Sequence, residues 1–362
     1  MSFSLSNIFS DLKQTSKKTS STSVVGIDIG GSAVKVVEIE ETPKTIMLRT
    51  YGELQLGPYA DKALGEVVSL DSQKKIEAIT DVLREAGVNS KEGYLAMPLS
   101  SSFLTVIPIV LNGQENIASR IPVEARKYVP LPLTDVTLDW SELSPVDDKN
   151  SNTHEVLLAA IENKALSEQL ELLRSLSITG DVNEIEAFGL IRSLWRSSDT
   201  TLAIIDIGAR STKLYIVRSG VLERLHRVVV GGKEITSALS KKLNVSFEEA
   251  ENLKRDYQRN DEQGAVIFEN MTNVLNSPLS EFSRSINQYE SRFGLSIDRI
   301  VISGGVANSP YCLDYIKNKL GKSVESADPF AKVAYPAFME DTLKIIGPSF
   351  GVALGAALRK FQ

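Results

Sequence analysis

The chain has 362 residues, 42% of them apolar and 24% charged, enough for two sizeable cores of ordinary globular composition. Its formal charge of −6 argues against a duplex-coating protein, because that binding is driven by neutralising phosphates. A single cysteine, Cys312, excludes an intrachain disulfide, and with only His154 and His226 to join it a zinc site of the usual ligands is excluded as well.

Residues 1–23 hold eleven Ser or Thr and three Lys, a composition that cannot bury enough apolar area to order itself. Within them Leu5, Ile8, Phe9 and Leu12 fall at helical spacing behind Ser6. That segment reads either as a frayed tail docking on its own domain or as a foot for a membrane surface or a partner groove. Order begins at Val24: Val24–Val37 alternates around Gly30-Gly31-Ser32 and predicts a β-hairpin. Lys74–Ala86, with Ile76, Ile79 and Leu83 on one face and Gly87 behind it, predicts a helix. A strand follows at Tyr94–Pro98.

Residues 100–176 predict a compact α/β insert. Its strands are Phe103–Leu111, Val136–Leu143 and Val156–Glu162, with the polar turn Val146–Ser151 before the last. Its helices are Glu115–Tyr128, presenting Ile117, Ile121, Ala125 and Tyr128 on one side and containing Pro122, and Ala165–Leu176. The longest apolar run, Leu104 to Leu111, is far too short to span a bilayer, and no signal-peptide core is present, so the expectation is a soluble intracellular protein. A helix is expected at Ala187–Trp195. A second strand–turn–strand covers Leu202–Val217, a helix-rich stretch covers 233–293, a strand at Arg299–Val301 runs into Ser303-Gly304-Gly305, and Ser349–Lys360 is a small-residue helix.

The most informative feature is a self-match. Asp28-Ile29-Gly30-Gly31-Ser32-Ala33-Val34-Lys35 aligns with Asp206-Ile207-Gly208-Ala209-Arg210-Ser211-Thr212-Lys213, 178 positions apart, each between two strands. An Asp at a strand end can hold Mg²⁺ through water. The glycine allows close backbone approach to a phosphate, and the turn amides cradle anionic oxygens that Ser32, Ser211 or Thr212 can also bind. Two such hairpins facing across a cleft would clamp a triphosphate and its metal. Ile300–Ala307, a buried strand ending in Gly304-Gly305, would offer bare backbone to a base or α-phosphate.

This order of pieces resembles the actin/Hsp70/sugar-kinase ATPase superfamily. The 100–176 insert, Gly231-Gly232-Lys233-Glu234-Ile235-Thr236 and Ala250-Glu251-Asn252-Leu253-Lys254 resemble its FtsA-like branch. Glu124-Ala125-Arg126-Lys127-Tyr128-Val129-Pro130-Leu131-Pro132-Leu133, running on to Leu138-Asp139-Trp140, is similar to the signature of the PilM family of type IV pilus assembly. The resemblance covers residues 24–362. It implies an α/β actin-like ATPase fold, two RNase H-like domains around a nucleotide cleft, with an FtsA-type 1C insert. The implied divisions are a tail at 1–23, subdomain 1A at 24–99 and 177–200 closed by helix 349–362, 1C at 100–176, 2A at 201–230 and 297–348, and 2B at 231–296.

Carried over residue by residue, the resemblance implies ATP and Mg²⁺ as cofactors. Asp28 and Asp206 would organise the metal. Gly30, Gly31, Ser32, Lys35, Gly208, Arg210, Ser211 and Thr212 would bind phosphates, whereas Lys213 is expected to be exposed. Gly304 and Gly305 would contact adenosine, Glu251 and Lys254 would reach the ribose and base unless they form a surface ion pair, and Gly231 and Gly232 would turn the chain into 2B. Glu186, then Glu184, are candidates to orient water at the γ-phosphate, with hydrolysis slow or absent. The implied partner is a PilN-like inner-membrane protein, captured by its N-terminal peptide at the 1A/1C groove, alongside other pilus platform or motor proteins. The implied location is cytoplasmic, against the inner face of the membrane without direct insertion. The alternatives are an FtsA-like cell-division protein, which would normally carry a C-terminal amphipathic helix, and a small-molecule kinase, for which Asp181 would be the only nearby base.

Overall fold

The computed structural model describes residues 23–111, 115–143, 152–259 and 262–361; the segment Leu5–Leu12 and the turn Val146–Ser151 lie outside them. Strand β1 (Ser23–Ile29) pairs with β2 (Ala33–Glu41) as the expected hairpin, and β3 (Ile46–Gln55) extends it antiparallel. Helix α1 (Ser72–Glu85) starts where the Asp71 carboxylate accepts the Lys74 amide, 2.9 Å away, satisfying one of the orphan donors of its first turn. It leads to β4 (Glu92–Met97), parallel to β1.

Next, β5 (Ser102–Val110), α2 (Ile117–Tyr128), β6 (Val136–Glu142) and β7 (Thr153–Glu162) form a separate three-stranded antiparallel sheet, order β5-β7-β6, with one covering helix. Ile121 and Ala125 of α2 pack on Ile107, Ile109, Val156 and Leu158. Tyr128, expected on that face, is 39% exposed, because Val129 takes the last buried position as the helix ends. Alternate residues of β7, Leu157, Ala159 and Ile161, point the other way into the first half's core, as a strand's period of two requires. Helix α3 (Asn163–Ser175), counted with the insert on sequence, packs Leu166, Leu172 and Leu173 into that first core instead.

Strand β8 (Thr179–Ile185) completes the first sheet in the order β3-β2-β1-β4-β8, and α4 (Glu186–Leu194) leads to the second half. There β9 (Thr201–Ile207), β10 (Thr212–Arg218) and β11 (Val221–Val228) repeat the antiparallel triplet. Helices α5 (Gly232–Leu243), α6 (Phe247–Arg255) and the 32-residue α7 (Glu262–Phe293) precede β12 (Arg299–Ser303). Then come α8 (Cys312–Leu320) and β13 (Glu325–Ser326), giving the order β11-β10-β9-β12-β13. Both sheets therefore have antiparallel first pairs and parallel last pairs, with β1 and β9 in equivalent central places. The two halves thus repeat one mixed-sheet architecture, as expected of the actin-like fold that the sequence resembles.

After α9 (Glu340–Ile346), α10 (Gly351–Leu358) returns the chain to the first half. It lies on β1 at Gly26 and on α4 at Gly189: a Cβ on Gly26 would overlap the Ala353 carbonyl, and one on Gly355 would overlap the Gly189 carbonyl. Only glycine permits backbones this close. Helices α4 and α10 thus pack between the two sheets, with one core at each face.

Candidate functional site

The repeated hairpins set the site. Pairing puts Asp28 directly opposite Lys35 on β1–β2 and Asp206 directly opposite Lys213 on β9–β10. Their turns close identically, the Gly30 amide donating to the Ala33 carbonyl at 2.9 Å and the Gly208 amide to the Ser211 carbonyl at 3.1 Å. Each turn is also braced from behind. The Val68 and Leu56 amides donate to the Gly31 and Ser32 carbonyls, and the Gly232 and Lys233 amides to the Gly208 and Ala209 carbonyls, all within 2.8–3.0 Å. A trans peptide points its N–H opposite its C=O. Bracing the carbonyls therefore turns the amides of Ser32, Ala209 and Arg210 away from the brace, toward the cavity, where they form an anion-binding concavity.

The turns face one cavity of about 670 Å³ between the halves. It is lined by Asp28, Gly30, Gly31, Ser32, Lys35, Glu186, Asp206, Gly208, Arg210, Ser211, Gly232, Glu251, Lys254, Gly304 and Gly305, so most of the residues singled out in the sequence converge. The opposing turns come close enough that a Cβ on Gly31 would lie 3.6 Å from that of Arg210. Gly304, φ +92°, would bring a Cβ within 2.7 Å of Asp206 Oδ1, so this turn needs glycine for the protein's own packing. A Cβ on Gly305 would meet nothing within 4 Å, leaving open backbone on the cavity wall.

Two expected residues do not belong to the cavity lining. Thr212 is fully buried, and its hydroxyl donates to the Val230 carbonyl at 2.7 Å; in register with Ile207, its side chain points into the sheet's packing. Glu184 is held by the guanidinium of Arg192, which also donates to the Gly355 carbonyl at 2.9 Å. It braces β8 against α4 and α10 instead. Lys213, expected outside, is the opposite case. Its side chain is 12% exposed, and its ammonium lies 2.9 Å from Glu186 Oε1 and 3.0 Å from Asp206 Oδ2.

The electrostatics follow from burial. Desolvation pushes the Asp28 carboxyl up to about 6, Lys35 and Lys213 opposing the rise and Glu186 and Asp206 adding to it. Burial by itself would lower the Lys213 ammonium, but Glu186 and Asp206 outweigh it and hold Lys213 well above the usual lysine value. On α6, burial would raise Glu251, yet Lys254, Thr236 and Arg255 overcome this and keep it below the usual carboxylate range. Lys254 Nζ is 2.5 Å and Thr236 Oγ1 2.6 Å from Glu251 Oε2, while Arg255 Nε is 2.9 Å from Oε1. The pair is an ion pair, but at 6–7% side-chain exposure it is a buried one.

Sequence reasoning passed over Arg227 and Glu53, which the ladders place opposite Lys213 and Lys35, and Lys75, Arg255, Gly65 and Ile345 at the rim. The cavity thus combines a two-sided amide cradle and several cations with buried carboxylates and open glycine backbone. This donor set fits a polyphosphate with a hydrated divalent cation. Among the described residues no group of three or more His, Cys, Asp or Glu is placed to hold a metal ion, so a divalent cation held by Asp28 and Asp206 would keep much of its own water.

Residues 26–361 match the model of the family described as Type IV pilus assembly protein PilM. Among solved structures, the chain is similar to one of the PilM-PilN type IV pilus biogenesis complex, at 26% identity and a TM-score of 0.77, over 94% of this chain and 98% of that one. It is also similar to the ethanolamine utilization protein EutJ from Carboxydothermus hydrogenoformans, at 14% identity and a TM-score of 0.54, over 93% and 89% of the two chains. The second likeness concerns the fold alone.

Proposed function

The chain belongs to the PilM family of type IV pilus assembly proteins, and from that membership we propose that it is an ATP-binding scaffold of the inner-membrane assembly platform. The observation that carries this reading is the pair of D-I-G-x-x-x-x-K hairpins, held in equivalent places of the two sheets and facing one cavity. The turns at Gly30, Gly31 and Ser32 and at Gly208, Arg210 and Ser211 hold the phosphates from two sides, with Lys35 supplying charge. Gly304 and Gly305 lie against the adenosine, and Gly232, Glu251 and Lys254 frame the ribose and base. Asp28 and Asp206 hold the water shell of Mg²⁺, which supplies charge neutralisation at the phosphates. Glu186, at the first position of α4, orients water at the terminal phosphate, with slow turnover or none.

The partner in this reading is a PilN-like inner-membrane protein, by analogy with the similar complex. Its N-terminal peptide would dock beside the inserted sheet, whose edge strands β5 and β6 suit pairing with an extended chain. Among the described residues no helix is long and apolar enough to cross a membrane, and the proposed contact with the inner face of the membrane runs through this partner.

The test is calorimetry of ATP with Mg²⁺ on wild type and Asp206→Ala, with phosphate release followed on the same samples. Wild type is expected to bind with little turnover, and Asp206→Ala to lose metal-dependent binding while keeping its circular dichroism. Wild type that binds no ATP overturns the nucleotide reading. Immobilised PilN-type N-terminal peptide should capture wild type but not a variant lacking the inserted sheet, provided that variant is folded; equal capture overturns the docking site.

A further inference from the structure

Asp28, Glu186 and Asp206 all line the cleft, and Lys213 reaches two of them, Glu186 at 2.9 Å and Asp206 at 3.0 Å. They come from separate elements: Asp28 ends β1, Glu186 opens α4, Asp206 is on β9 and Lys213 on β10. Glu186 and Asp206 are 14% and 11% exposed at the side chain. Carboxylates this buried and this close repel unless a cation lies between them. Tyr215, two residues further along the same face of β10, is fully buried, and its hydroxyl finds no hydrogen-bond partner among the described residues. Lys213 shares that face, lines the cleft at 12% exposure, and holds its ammonium against Glu186 and Asp206. Lys35 occupies the matching position on the first hairpin, opposite Asp28.

We propose that Lys213 is a resident counter-ion of this cleft, built into the chain between Asp206 and Glu186, so that the carboxylate cluster is assembled, and a nucleotide accepted, with little dependence on a divalent metal. The inference rests on the nucleotide reading above. Metal entering the cleft meets one carboxylate without a direct ammonium bond, Asp28, and two that Lys213 already holds. Mg²⁺ therefore adds to a site that already holds a cation; it does not supply the first one. Lys213 is a positioning residue: it acts by fixing Glu186 and Asp206, and in doing so ties the second hairpin to the helix that leads out of the first half.

The discriminating experiment varies metal and residue together. ATP affinity is measured in excess Mg²⁺ and in EDTA for wild type, Lys213→Met and Lys213→Arg, and each protein is also melted without nucleotide, with and without Mg²⁺. Wild type is expected to lose no more than about tenfold in affinity on metal removal, and Lys213→Met roughly a hundredfold or more, because Glu186 and Asp206 then lose the ammonium bonded to both. Nucleotide-free Lys213→Met should melt below wild type and regain part of the difference in Mg²⁺, whereas wild type shifts little. Lys213→Arg, which keeps the charge, should behave as wild type. Equal metal dependence in Lys213→Met and wild type, or wild type that binds ATP only with Mg²⁺, overturns the inference and leaves the nucleotide site standing. Should Lys213→Met not fold, the wild-type comparison in EDTA decides alone. No ATP binding by wild type under either condition overturns the nucleotide reading and the inference together.

Discussion

Gly65 and Glu251 meet across the mouth of the cleft: a Cβ on Gly65, whose φ is +79°, would lie 2.5 Å from Cδ of Glu251. Gly65 belongs to the connection between β3 and α1, and the same connection braces the first turn through the Leu56 and Val68 amides. Glu251 belongs to the buried network of α6. One strand of backbone thus links the first phosphate turn to the far half. Gly65→Val would add strain in the left-handed region, roughly 1–2 kcal/mol, and displace Glu251. ATP affinity should fall about tenfold while the melting temperature changes only by a few degrees. Titration and scanning calorimetry read the two effects; unchanged affinity would mean that the contact plays no part in the nucleotide site.

Glu184 and Glu186 are two residues apart and should behave oppositely. Glu184→Gln removes the carboxylate charge that Arg192 holds at low exposure, which costs about 1–3 kcal/mol and lowers the melting temperature with ATP affinity unchanged. Glu186→Gln should suppress any phosphate release while the protein still binds ATP. A Glu184→Gln protein that melts normally but no longer releases phosphate would reverse the assignment.

Glu155 of the inserted sheet is held by two arginines of the second half, Arg224 at 3.1 Å and Arg292 at 2.9 Å, and both guanidiniums lie within 5.7 Å of the centre of the Phe293 ring. Glu155→Ala should loosen the insert from that half while costing about 1 kcal/mol or less, since the pair is partly hydrated. Hydrogen exchange should speed up along β5 and β7 and stay unchanged in β1 and β9. Uniform exchange across all four strands would rule out this contact as the local tie.

Cys312 is fully buried, and burial pushes its thiol up to about 12. An unfolded thiol titrates near 8.5, so the folded state binds the extra proton between those two values. The contribution of Cys312 to stability is complete below about pH 8.5 and declines as pH rises toward 12. Native protein should resist a disulfide reagent at pH 8 and react fully in guanidinium, and Cys312→Ala should flatten the alkaline loss of stability. Rapid native labelling would contradict the burial.

The hairpins, the internal repeat and the glycine turns were legible because each is local: alternation fixes a strand, and Asp-Ile-Gly fixes a tight turn at its end. Lys213 was not legible for a related reason. In β10 both faces are buried, Leu214 and Ile216 on one and Tyr215 and Val217 on the other, so no polar alternation marks which face carries the lysine toward the cleft. Only pairing with β9 and the arrival of α4 overhead decide it. Thr212 failed by one residue for the same cause, since a single step along a strand turns a side chain to the opposite face. Glu184 stayed a second candidate behind Glu186 because what sets it apart is Arg192, six residues beyond Glu186. Gly65 and Arg227 belong to no motif; they reach the cleft through a loop's return and a strand's register.

Both passages of the chain between the halves, out after α4 and back into α10, run beside the crossing of Gly189 and Gly355. Helices usually lock at one crossing angle because the side-chain ridges of one fill the grooves of the other. At this crossing backbone meets backbone, with no side chain to serve as a ridge. Sliding there would break the bond from the Arg192 guanidinium to the Gly355 carbonyl, so the glycine contact fixes how the two helices sit on each other. The two passages of the chain are thereby held at one close spacing.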